Sequence, residues 1–384
     1  EKLEFHTAWG LTGGKSYYMI HHGTTLIAFT IPKTLYYRES FRMAAAHTDF
    51  PCLRIKPNPE MEMSGYQQLN VEVYGGAILN TWLDRPLGIA GKVALASDKV
   101  FAPRIVHFSS ECPVAVIPNI AIHMNPALNK GVELNKQKDM IPIVGIAGEE
   151  IQKKDFFYEY LAKELQLSKE EILDFDLYLY NTEMPETVGM GKELISAPRL
   201  DNLTSVQALL DGIITGERED GINLIALFDH EEIGSRTKQG AGSMLLRDVV
   251  EKIQISLGRD ACQVKEALYQ SMLLSVDVAH AMHPNQNQKA DVTNQPVLNR
   301  GFCIKESGNQ SYATDCEVVA IVEQICKKEG IAYQKYANRS DIAGGSTLGA
   351  IAGSLMPVQT VDIGVPILAM PSARELMGAD DMAA

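Results

Sequence analysis

From about Leu194 onward, runs suited to buried strands alternate with amphipathic stretches, and this alternation limits the fold more than any other feature. LTSVQALLDGII reads as a helix and precedes the apolar run INLIALF, and a further helix follows over about 241–257. VKEALYQSM (helix), LLSVDV (strand), TDCEVVAIVEQICKKEG (helix) and AYQKYAN (strand) continue the pattern. A glycine-rich turn, DIAGGSTLGAIAG, then leads into a last strand, GVPILAM. Such alternation predicts an α/β fold whose central, mostly parallel mixed sheet is covered by helices on both faces. TTLIAFTI and SFRMAAA, near the start, supply further strands. Between about Ile55 and Met190 the texture changes. LNVEVYG, GIAGKVAL, RIVHFS, VAVIP and MIPIVGIAG alternate with Gly, Pro and Asn turns, and the helix DFFYEYLAKELQ and the strand FDLYLYN follow. That is the pattern of a β-rich unit. The expected organisation is therefore one α/β domain, residues 1–54 and 191–384, interrupted by an inserted β-rich domain at 55–190. The 384 residues exceed what one core usually organises, which agrees with two domains.

Charge and cysteine usage exclude several function classes. A net charge of −13 argues against nucleic acid as a partner, because phosphate binding needs a basic face. No apolar run reaches the roughly 18 residues of a spanning helix, and the opening EKLEFHTAWG has neither the basic flank nor the apolar stretch of a signal peptide. Cys52, Cys112, Cys262, Cys303, Cys316 and Cys326 lack CxxC spacing and read as reduced thiols. The expectation is a cytoplasmic protein without a membrane partner. A thiolate zinc site at Cys316 and Cys326 has little support. There is no GxSxG nucleophile elbow, no GxGxxG and no GxxxxGK[ST], so neither a serine nucleophile nor a nucleotide site is expected.

Four segments end apolar runs in residues able to bind a metal. MAAA runs into His47-Thr48-Asp49, NLIALF into Asp229-His230-Glu231-Glu232, and LLSV into Asp277 with His280 and His283 beyond. SAPRLDN offers Asp201 just before a helix. Each piece alone has an ordinary explanation. His-x-Asp is common by chance, paired glutamates favour helix starts, and His280 and His283 suit packing or capping equally well. Taken together they converge where open α/β sheets bind ligands, outside the carboxyl ends of strands. Acidic groups and imidazoles gathered there repel one another unless cations lie between them. Oxygen and imidazole donors without thiolates suit zinc first, with cobalt or manganese as alternatives. Two cations bridged by a carboxylate would activate a water, and a carboxylate that is not a ligand would carry its proton. The residues point to metal-assisted hydrolysis.

AAAHTDFPCLRIKP, SAPRLDNLTS, LFDHEEIGS, SVDVAHAMHPN, NRSDIAGGSTLG and DIGVPILAMPSARE resemble, in order, the signature blocks of the aspartyl aminopeptidase and vacuolar aminopeptidase I family of zinc exopeptidases. IAIHMN and ELNKQKDMIPIVG resemble that family's inserted-domain segments. The resemblance spans nearly the whole chain. It implies an aminopeptidase that removes acidic or neutral N-terminal residues from peptides with two zinc ions per chain. His47 and Asp277 would hold one zinc, Asp201 would bridge both, Glu232 would hold the second, and Glu231 would be the general base. Asp49 would orient His47 from behind. His123 would help bind substrate in a neighbouring subunit, and Lys305 would pair with an acidic substrate side chain. The ordinary alternative for Lys305 is a solvated lysine at a strand edge. The assembly implied is a tetrahedral dodecamer built from dimers, with the inserted domain as the dimerising part.

One position departs from the pattern. Where the family carries a histidine ligand of the second zinc after the last methionine, Met370 is followed by Pro371, and no histidine lies beyond His283. Proline has no side-chain donor atom, although it is acceptable at a strand-to-helix junction. The expectation is a sound fold with a weak or vacant second site and reduced activity. Two alternatives follow: a weakened member of the family kept as a structural scaffold, or a metal-dependent hydrolase of another amide or ester.

Overall fold

The computed structural model describes residues 1–36, 39–147, 155–342 and 344–382. Gly148, at the end of the MIPIVGIAG run, and Ala343, in the glycine-rich turn, lie outside the described residues. The chain divides into two compact units. The first comprises Glu1–Phe50, Glu186–Met370 and Glu375–Ala384, and the second comprises Pro51–Pro185 together with Pro371–Arg374.

An eight-stranded mixed sheet organises the first unit. Its spatial order is Ser16–His21, Thr25–Thr30, Ile222–Phe228, Phe41–His47, Met272–Val276, Gln359–Gly364, Phe302–Glu306 and Tyr333–Ala337. The four central strands, from Ile222–Phe228 to Gln359–Gly364, run parallel to one another, and antiparallel pairings flank them. The middle strands are apolar on both faces because helices cover both. On one face Phe29, Phe41, Met43, Leu224 and Phe228 pack with Leu246, Val249 and Ile253 of the Leu245–Ser256 helix. On the other, Ala46, Ile225 and Leu227 meet Val206, Leu209, Leu210 and Ile213 of the Leu200–Thr215 helix. A smaller sheet of Glu186–Val188, Leu194–Ala197, Glu375–Gly378, Pro366–Leu368 and Ala279–His280 completes the unit.

The second unit is a six-stranded antiparallel sheet in the order Arg104–Ser109, Leu87–Leu95, Ile172–Asn181, Cys52–Met63, Tyr66–Tyr74 and Ile143–Ile146. Among the described residues one α-helix, Phe156–Leu165, accompanies it, and the Glu60 carboxylate accepts from the backbone N–H of Phe157 at its start.

Several elements differ from the sequence reading. VAVIP forms no strand and contributes only isolated bridges at Ala115 and Val116. Cys52–Met63 is a long strand that escaped notice because Pro57 and Pro59 cannot donate to a ladder. The register shift between Ile55 and Glu60 carries both prolines outside the regular pairing. FCIKE is a central-sheet strand whose lysine disguised it. Part of the glycine-rich turn is a helix, Leu348–Leu355. It packs so closely that a Cβ on Gly349 would lie 2.5 Å from Ser275 Cβ and 2.9 Å from Asp362 Oδ1. Among the described residues no helix is long and apolar enough to cross a membrane. None of the six cysteines is paired in a disulfide.

Candidate metal centre

Sheet register explains why distant segments meet. His47 ends its strand opposite Phe228, and the Thr48 N–H donates to the Phe228 carbonyl at 2.8 Å. The residues after each strand, Asp49 and Asp229–Glu232, therefore emerge side by side. On the other flank Ser275 pairs with Ala45, so Asp277 clears its strand level with His47. Asp201 arrives on the covering helix, where it keeps an extended ψ of 107° before the helical turns begin.

His47 is the hub. Its Nε2 lies 3.3 Å from Asp201 Oδ1 and 3.5 Å from Asp277 Oδ1. Its Nδ1 lies 3.0 Å from the Asp49 carbonyl oxygen and 3.4 Å from Asp49 Oδ1. The Asp49 carboxylate also accepts from the backbone N–H groups of Glu231 and Glu232, at 3.0 and 3.1 Å. Asp49 thus orients the imidazole and the glutamate pair at once. Two sets of donor atoms, His47/Asp201/Asp277 and His47/Glu231/Glu232, each fall within 4.8 Å of one another. Asp201 Oδ1 is buried without a hydrogen bond although it faces Nε2 of His47. A buried carboxylate oxygen left without a hydrogen bond beside an imidazole nitrogen and further carboxylates is a donor set that a zinc ion fits.

The electrostatics agree. Burial, with Asp277, Asp201 and Asp49 adding to it against the pull of His47, pushes Glu231 up to about 7. Burial and neighbouring Asp201 push Glu232 to about 10. Burial would raise Asp277 too, but the Lys305 ammonium and His47 hold it down to about 2. Glu375, to which no role was assigned from sequence, is buried beside them and pushed to about 8, first by burial and then by Asp201. Its Oε2 accepts the Asp201 N–H at 2.9 Å, fixing the backbone that carries that carboxylate. Nothing local in PSARE marks this; the bond links residues far apart in sequence.

These shifts fix a pH dependence. Glu231, Glu232 and Glu375 stay protonated in the metal-free folded chain at pH values where the unfolded chain has lost those protons. The stability this contributes is complete below about 4.5 and drains away as pH rises through about 7 to 10. Chelator-treated protein should therefore melt at a lower temperature near pH 9 than near pH 6, and added zinc should raise Tm more near pH 9. Equal zinc-induced shifts at both values would contradict this.

The other candidates lie outside these two donor sets, although His280 and Lys305 are close enough to Asp201 and Asp277 to feel their charge. His280 is exposed, in a two-residue strand with its ring 6.2 Å from that of Tyr336. His283 is exposed, and its Nδ1 accepts the Asn285 N–H. His123 occupies an exposed turn of the second unit. Lys305 is 2% exposed, which rules out the solvated strand-edge alternative. Its Nζ donates to the Val278 carbonyl at 3.2 Å, and Asp277 and Asp362 raise its pKa against the effect of burial. Pro371 belongs to the second unit, where its carbonyl accepts the Ile78 N–H at 3.1 Å.

The model of the M18 family, described as aminopeptidase I zinc metalloprotease, matches residues 1–384. This chain belongs to the M18 family of aminopeptidases. As an M18 chain it is 44% identical over 374 residues, 97% of its length and 86% of the relative's, to a Clostridium novyi (strain NT) protein named "Probable M18 family aminopeptidase 2". A namesake from Pseudomonas aeruginosa (strain UCBPP-PA14) is 38% identical over 384 residues, 100% of this chain and 88% of the relative. Among solved structures, one chain of an Ape4 and Nbr1 complex superposes with a TM-score of 0.94 at 32% identity, covering 100% of this M18 chain and 77% of that one. The mApe1 dodecamer of S. cerevisiae matches with a TM-score of 0.84 at 27% identity, over 100% of this chain and 86% of its own. Family membership makes this chain a metal-dependent aminopeptidase of the zinc metallopeptidase class.

Proposed function

We propose that this chain releases acidic or neutral N-terminal amino acids from peptides at a centre for two zinc ions, the second of them weakened by Pro371. The observation that carries the reading is the convergence of His47, Asp201, Asp277, Glu231 and Glu232 at adjacent strand ends. His47 and Asp277 would hold one ion, Glu232 the other, and Asp201, a member of the first donor set whose charge also acts on Glu232, would bridge them. The ions, when bound, supply a water of lowered pKa and polarise the scissile carbonyl.

The chain's own groups do the rest. Glu231, raised toward neutrality, takes the proton from the attacking water and returns it to the leaving amine. Asp49 keeps His47 in one tautomer, with the proton on Nδ1 and Nε2 free for metal. Lys305 stands behind Asp277 and is already engaged there, which favours an influence on acidic substrates through its field rather than through contact. His123, exposed on the inserted unit, would complete a neighbouring subunit's site in a dodecamer built from dimers.

The test is zinc content per chain together with hydrolysis of Asp- and Leu-linked chromogenic amides and their N-acetylated counterparts. Bound zinc with cleavage of the free-amine substrates alone is expected. Cleavage of acetylated substrates at equal rates would place the chain among other amide hydrolases. One observation favours a second reading. Pro371 stands at an expected ligand position, so a scaffold with little turnover follows if zinc binds and neither free-amine substrate is cleaved.

A further inference from the structure

Behind Asp277 lies a buried charge that the mechanism does not use. Asp362 is fully buried at the centre of the sheet, paired in register with Ser275 on one side and Lys305 on the other. Its Oδ1 accepts from the Thr347 hydroxyl and its Oδ2 from the Ala313 N–H, each at 2.6 Å. Its own N–H donates to the Thr314 hydroxyl at 3.0 Å. The loop so held carries Tyr312, whose ring lies 5.0 Å from Lys305 Nζ. Lys305 in turn donates to the carbonyl of Val278, the residue next to Asp277. The Lys305 ammonium therefore lies chiefly in the field of two carboxylates, Asp277, which faces the metal centre, and Asp362, which is committed to the fold, with Asp201 adding less. Gly349 admits the Leu348–Leu355 helix against Asp362, sealing the group from water.

We propose that Asp362 is a positioning residue for the metal centre: it holds Lys305, directly as countercharge and indirectly through the Tyr312 loop, so that Asp277 is left free to ligate zinc. Without the Asp362 charge, Lys305 has Asp277 as its remaining strong partner and draws that carboxylate away from the ion. A buried ammonium bound to one carboxylate competes with a metal for it, whereas one shared between two does so less. The proposal rests on the reading of Asp277 as a ligand.

Zinc affinity, measured by competition with a chromogenic chelator, tests this without reference to turnover. Asp362→Asn should lower the affinity of the tighter site roughly 10- to 100-fold. The same change in a Lys305→Met background should lower it no further, since the competing ammonium is gone. Wild-type affinity in Asp362→Asn, or an equal loss in both backgrounds, would overturn the proposal. Should Asp362→Asn fail to fold, a further loss of affinity in the double variant relative to Lys305→Met alone overturns the proposal. A wild-type chain that binds zinc but cleaves no aminoacyl substrate would remove the functional reading and leave this proposal standing. A wild-type chain that binds no zinc would remove both.

Discussion

Glu231→Gln should lower kcat by roughly 10²- to 10⁴-fold and leave zinc content unchanged, the pattern expected for loss of a general base that is not a ligand. Glu232→Gln should do the opposite first: the already weak second zinc binds more weakly still, with activity falling as a consequence. The two side chains leave adjacent backbone positions whose N–H groups share the Asp49 carboxylate, so neither change disturbs the scaffold that presents them. Their protonation separates them, Glu231 near 7 and Glu232 near 10 in the absence of metal. The resemblance to the family gives Glu232 to the metal and Glu231 to the proton, and the higher pKa of Glu232 in the absence of metal agrees with that division. Metal loss in Glu231→Gln with retention in Glu232→Gln would exchange the two roles.

Pro371→His carries the second large expectation: uptake of a second zinc per chain at least about tenfold tighter than in the parent, with a rise in kcat at least as large. The backbone is prepared for the change. The Pro371–Arg374 segment is held within the second unit by bonds that do not involve the position-371 side chain. Its Ala373 N–H donates to Thr81 Oγ1 at 2.9 Å, and its Ala373 carbonyl accepts from Asn181 Nδ2 at 2.9 Å. The Arg374 guanidinium donates to the Met184 carbonyl at 3.0 Å. Proline offers no N–H, so histidine there displaces no existing donor. Isothermal titration of metal-stripped parent and variant, paired with rates on Asp- and Leu-linked amides, reads the outcome. Two equally tight sites in the parent would mean that another group replaces the missing imidazole.

The alternation that predicts the central sheet was legible because its strands are buried on both faces and so read as uninterrupted apolar runs. Chelating side chains directly after such runs are conspicuous, and the resemblance to the family narrows them, with Asp201, to His47, Glu231, Glu232 and Asp277. What escaped was everything whose meaning depends on a partner far along the chain. Lys305 could be picked out for an acidic substrate, but its burial and the charges of Asp277 and Asp362 around it could not be read from residue types. Glu375 looks like a surface acid until the Asp201 N–H is found against it. Pro57 and Pro59 hid a strand because a bulge that removes them from the ladder cannot be read from residue types. The helix at Leu348–Leu355 was masked by glycines needed for close packing against Ser275.

The strand that carries His47 is flanked in the sheet by strands beginning at Ile222 and Met272, both made long after it. During synthesis at about 5–20 residues per second, the Phe41–His47 ribbon waits roughly 10–40 seconds with neither neighbour available. Over that interval the nascent chain exposes an unpaired, apolar segment while all six strands of the antiparallel sheet within Pro51–Pro185 are translated and can already pair. The metal hub is thus the oldest part of the centre to leave the ribosome and among the last to be enclosed.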